Sequence, residues 1–137
     1  MKSVVFCLLT FYVIENVFSD KLMDQLNEVY NNGLKSLRFT IPNQILAEVS
    51  NDVDKTSGDD RKKAQNCYDY AKSSMKTFSE TMFEPITKEL GKCRDQGLQS
   101  QSVEVAKTCS NKVMDVFSKV VEEVKSSAKS CISSIKE

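Results

Sequence analysis

Apolar residues recur every three or four positions along most of this chain, and no stretch alternates as a half-buried strand does. The first such line runs through Leu22, Leu26, Val29, Gly33 and Leu37, with Met23, Tyr30 and Leu34 beside it. It predicts an amphipathic helix that stops near Asn32, because Gly33 weakens a helix by about 1 kcal/mol relative to alanine. Pro42 suits the first turn of a second helix, with Ile45, Leu46, Val49 and Val53 as its buried side. Residues 51–60 (NDVDKTSGDD) lack an apolar period and read as a loop, with Asp59 or Asp60 capping the next helix.

A third helix is expected from about Arg61, along Ala64, Cys67, Ala71, Met75, Phe78, Met82, Ile86, Leu90 and Cys93. Pro85 falls inside it and predicts a kink or short break, and Gly91 and Gly97 offer stops. The fourth helix, from about Ser102, follows Ala106, Cys109, Val113, Val116, Val120, Val124, Ala128, Cys131 and Ile135. Valine and serine are mediocre helix formers, so this helix needs tertiary support. The fold class is all-α: a small bundle of three to four helices.

The amino terminus has a different character. Lys2 precedes an apolar run from Val4 to Ile14, broken only by Thr10, and Val17-Phe18-Ser19 places small or β-branched residues at a cleavage position. That order is a secretory signal peptide. The run is shorter than the roughly 20 apolar residues a membrane span needs. We therefore expect residues 1–19 to be removed and residues 20–137 to form one domain, with helices over 20–56 and a helical hairpin over 61–137. The mature chain of 118 residues keeps 18 basic and 18 acidic side chains. Such a balance lacks the basic excess of a nucleic-acid binder. No N-glycosylation sequon occurs.

Cys7 leaves with the signal peptide, and Cys67, Cys93, Cys109 and Cys131 remain. An even number in a secreted chain implies two disulfides. All four lie on the apolar lines and are expected to face the core. Cys67 and Cys93 stand 26 residues apart, roughly 39 Å along one helix, far beyond the roughly 4.4–6.8 Å between Cα atoms that a bridge spans. Only a sharp break at Pro85 would bring them together. In an antiparallel hairpin turning near Gly97–Ser100, the pairs Cys93–Cys109 and Cys67–Cys131 share almost the same midpoint. The hairpin therefore predicts nested bridges, one near the hinge and one near the open end.

Several chemistries are absent. The lack of histidine removes Ser-His-Asp and Cys-His catalysis and most zinc sites. Bridged cysteines are not nucleophiles, and no phosphate- or dinucleotide-binding glycine pattern occurs. An EF-hand frame started at Asp52 puts Ser57 where glycine is required and Lys63 where the bidentate glutamate belongs. Asp59/Asp60 and Glu122/Glu123 read as a cap and a solvated face. No cofactor and no catalytic residue is expected. Met75, Phe78 and Met82 are the candidates for lining an apolar ligand pocket, although a stripe at this spacing is ordinarily core.

The layout of signal peptide, short mature chain, helices and four dispersed cysteines resembles small secreted insect proteins. Examples are the four-cysteine helical domain of tsetse midgut EP-type proteins and orphan proteins of arthropod saliva and venom. The resemblance covers Cys67 to Cys131 and is architectural. It implies an extracellular, non-enzymatic effector of venom, saliva or gut secretion that binds a host or prey protein. Insect odorant-binding proteins share helices and disulfides, but their Cys-x-x-x-Cys signature is missing here. A carrier of a small apolar ligand and a membrane-active toxin are the alternatives. The mixed charges of the polar faces disfavour the toxin, since membrane-active helices are usually richer in Lys and Arg.

Overall fold

The computed structural model describes the backbone of residues 2–135 and the side chains of residues 17–135. The run Val4–Ile14 belongs to α1, but its side chains lie outside the described residues. The elements are α1 (Lys2–Lys35), a five-residue π turn (Ser36–Thr40), α2 (Ile41–Asp54), α3 (Gly58–Gln99) and α4 (Val103–Ile135). No strand occurs among the described residues.

The expected stop at Gly33 is not made. Gly33 is buried, and a Cβ there would lie 2.9 Å from Leu90 Cδ1. The glycine is therefore a place of close approach between α1 and α3, and packing outweighs its poor helix propensity. The interruption comes later and has a visible cause. Pro42 has no N–H to give the Arg38 carbonyl, and its ring would crowd that carbonyl in a regular α-helix. The backbone widens before it: Ile41 N–H donates to Ser36 O, five residues back. Lys35, Thr40 and Ile41 all keep right-handed helical dihedrals. So α1, the π turn and α2 form one helical rod, roughly 80 Å long at 1.5 Å per residue. Pro42 does open the second helix as expected.

The expected loop over 51–60 shrinks to Lys55–Ser57. Thr56 closes α2 by donating both its N–H and its Oγ1–H to the Val53 carbonyl, at 2.9 and 2.6 Å. This satisfies a carbonyl that a helix end leaves open. Gly58 then turns the chain with φ +59°. Helix α3 starts three residues before Arg61, behind Ser57, so Asp59 and Asp60 occupy its first turn and do not cap it. There their charge complements the positive end of the helix dipole.

Helix α3 runs unbroken through Pro85. Both Pro85 and Thr81, whose carbonyl loses its donor, face solvent, and water can take the lost donor's place. The α3–α4 turn is a left-handed cap built on Gln101, at φ 50°. Ser102 N–H donates to Gly97 O at 2.9 Å and Gln101 N–H to Leu98 O at 3.1 Å. These are the two bonds of a Schellman motif. Ser102 Oγ in turn accepts from Val105 N–H at 3.3 Å, capping α4.

The result is an up-down-up bundle of three long rods, in which the α3–α4 hairpin is the most extensive pairing. Its core has three sections. Leu22, Leu26 and Ala106 fill the hinge end. Leu37, Ile45, Met75, Ile86, Leu90, Phe117 and Val121 fill the middle. Val49, Val53, Ala64, Cys67, Ala71, Ala128 and Ile132 fill the open end.

The expected lines on the first three helices match the buried residues closely. The α4 line matches only at Ala106 and Ala128. Its buried residues are Ala106, Ser110, Phe117, Val121, Ala128 and Ile132, and Val116 is 59% exposed. Two apolar lines run side by side on this helix, one position apart. The one carrying the phenylalanine is turned inward, because an aromatic ring buries more area than a valine.

Candidate functional site

Both bridges form as the hairpin predicts. Cys67–Cys131 spans 5.9 Å between Cα atoms and Cys93–Cys109 spans 5.3 Å. Their orientation differs from expectation, since not all four cysteines face the core. Cys67 and Cys93 on α3 are buried, Cys109 is half-buried and Cys131 is exposed. The outer bridge thus runs from the buried face of α3 to an exposed position on α4, and the inner one is the more enclosed. Each borders a surface groove. That at Cys67–Cys131 is about 440 Å³ and includes Lys63 and Tyr70. That at Cys93–Cys109 is about 640 Å³ and includes Val105 and Lys112.

The candidate lining residues Met75, Phe78 and Met82 all join the central core section. Met75 is 2% exposed, and the Phe78 ring lies 6.0 Å from that of Phe117. Met75 also lines a groove. That groove, about 640 Å³, runs between α3 and the π turn with α2. Arg38, Pro42 and Leu46 form one wall at one-turn spacing. Asp69, Lys72, Ser73, Met75, Lys76, Ser79 and Glu80 form the other. Its size is that of a small-molecule site.

The π turn positions Arg38, whose guanidinium stacks 4.2 Å over the Phe83 ring. Asp69 accepts a hydrogen bond from Gln65 at 3.0 Å. Arg38, Lys72 and Lys76 make no ion pair with a described residue. Ser79 Oγ is buried without a hydrogen-bond partner. Reading the sequence missed this groove. Lys72, Lys76 and Glu80 share the spacing of any solvated helix face, and nothing in Arg38-Phe39-Thr40 announces a widened turn.

A second charged feature joins α2 to α4. Lys125 contacts Glu122 at 2.6 Å and Glu48 at 3.2 Å, and Lys129 contacts Glu48 at 3.6 Å and Asp52 at 3.8 Å. The hydrogen bond from Lys125 holds the Glu48 carboxyl below the ordinary carboxylate range. The bond to Glu122 raises Lys125 above its ordinary value. These groups neutralise one another across a helix seam and line none of the three grooves.

Among the described residues, no three acidic or cysteine side chains gather as a metal site requires, and no helix is long and apolar enough to cross a membrane. No protein-family model, curated protein or solved structure is detectably similar to the chain.

Proposed function

We propose that this is a secreted, non-catalytic binding protein that acts in an exocrine fluid such as saliva, venom or gut secretion. The observation that carries the reading is the hairpin tied at both ends. Paired bridges suit an oxidising compartment and make a rigid rod that presents side chains with little entropy lost on binding. The amino terminus supports secretion. Val17, Phe18 and Ser19 are exposed, and Leu22 is the first buried residue among the described side chains. Cleavage after Ser19 would thus leave the described core whole.

The test is to express the full chain in a secretory eukaryotic host. The expected product is in the medium, begins at Asp20 and carries no free thiol. Protein held inside the cell with residues 1–19 intact refutes secretion. Mass spectrometry of gland secretion against body fluid tests the setting: enrichment in the gland supports an effector, and broad circulation removes that role.

A second reading, an extracellular carrier of an apolar molecule, is favoured by the groove floored by Pro42, Leu46 and Met75. Co-purified lipid in native mass spectrometry supports it.

A further inference from the structure

We infer that the groove between α3 and the π turn with α2 is a binding site for a single-chain anionic amphiphile, such as a fatty carboxylate. This rests on the carrier reading and gives it a place and a ligand class. Three observations meet there. The floor is apolar, made by Pro42, Leu46 and Met75, so an alkyl chain gains about 25 cal/mol per Å² of apolar surface it covers. Arg38, Lys72 and Lys76 border it with no ion pair to a described residue. Ser79 contributes a buried hydroxyl oxygen with no hydrogen-bond partner, an arrangement that costs free energy until a partner arrives.

The groove has a direction. Arg38 stacks on Phe83, so it stands beside the Ser79–Glu80 end of the α3 wall. Asp69 and Glu80 are the first and last residues of that wall, eleven positions apart, or roughly 16 Å. Lys72 and Lys76 lie between them. The head group of the ligand meets Arg38, Lys76 and the Ser79 hydroxyl, and its chain runs along Met75 toward Leu46. Glu80 stands at the head-group end and opposes an anion. The site therefore takes a single negative charge on a long apolar body, and removing the Glu80 charge strengthens it. A neutral chain keeps the floor contact but forfeits the cations.

The experiment is isothermal titration of the purified mature protein with dodecanoate, and with dodecanol as its uncharged counterpart. Dodecanoate binds and dodecanol binds more weakly. K72E/K76E weakens dodecanoate about tenfold, and E80Q strengthens it about threefold, as expected for partly exposed charge contacts. K107E, an exposed lysine on another helix, leaves the affinity unchanged. S73W, at an exposed position on the groove wall, blocks both ligands. Circular dichroism checks that each variant is folded. If dodecanol binds as tightly as dodecanoate and the charge variants match the parent, the anionic preference is overturned while the carrier reading stands. If neither ligand binds the parent, both fall together.

Discussion

Removing the two bridges one at a time should cost unequal amounts, with the outer bridge worth more. The closed loops differ: Cys67–Cys131 spans 64 residues and Cys93–Cys109 spans 16. Loop-closure entropy makes a 16-residue bridge worth about 3 kcal/mol. With the inner bridge intact, the outer loop is short-circuited to roughly 50 residues, and the same relation gives about 4 kcal/mol. Packing acts in the same direction. The open end of the hairpin is filled largely by Ala64, Ala71, Ala128 and two valines, small side chains that bury little area. The inner pair lies toward the hinge end, where Leu22, Leu26 and Ala106 pack and the turn is already closed by two backbone bonds.

Urea unfolding of C67A/C131A and C93A/C109A, followed by circular dichroism, gives the comparison. Both variants should lose stability, the outer one by about 1 kcal/mol more, and both m-values should rise as the unfolded chain expands. Hydrogen exchange should show amides of residues 61–71 and 124–132 opening first in the outer variant. An inner variant as unstable as the outer one, or an unchanged outer variant, would refute the reasoning.

Phe117→Ala should cost about 3–5 kcal/mol, whereas Val116→Ala should change stability by less than about 0.5 kcal/mol; equal losses in denaturant unfolding would return the α4 seam to the valine line. Gly97→Ala should lower stability by roughly 1–3 kcal/mol, because its Cβ would meet Leu26 Cδ2 at 2.6 Å and Ala106 Cβ at 2.7 Å. Gly33→Ala should cost less, as only movable leucine methyl ends and the Ser110 hydroxyl crowd it, and the two melting temperatures rank them. Glu48, held ionised by Lys125, contributes stability above its unfolded value and loses it as pH falls through the lower folded one. E48Q should therefore show a flatter stability curve than the parent below about pH 4.3, and parallel curves would remove that role. Lys125 has the opposite sign, being raised; its contribution is complete below about pH 10.4 and fades above, a limb that K125M should lack.

Helix existence and the bridge pattern were legible because each rests on a long-range regularity. A period sustained over several turns does not depend on any one residue, and two cysteine pairs with nearly one midpoint specify a hairpin whatever its side chains. Boundaries depended on single residues and were less legible. Gly33 looks like a stop until Leu90 is placed against it, and Pro85 looks like a break until it is seen to face water. On α4 the period was legible but its phase was not. The expected line followed the three- and four-residue spacing through Val113, Val116 and Val120, and Cys109 and Cys131 were expected to face the core because they lie on it. On α3 the bridged cysteines do face the core, but on α4 Cys109 is half-buried and Cys131 exposed, so the spacing that fixed the pairing did not fix the phase of α4.

The same distinction explains why the groove was invisible. A core stripe on one helix can be read alone, but a groove is a relation between two walls. Here one wall exists because Pro42 forces a π turn upstream of α2, which turns Arg38 over Phe83 and leaves Pro42 and Leu46 facing α3. An uninterrupted α-helix would shift every residue after the turn by one position around the rod, about 100°. Replacing Pro42 with alanine restores the missing N–H and makes that regular path available. Pro42→Ala should therefore alter dodecanoate binding beyond the loss of one ring from the floor, while leaving both bridges in place. Unchanged binding in a variant whose helix had become regular would mean that the π turn has no part in shaping the site.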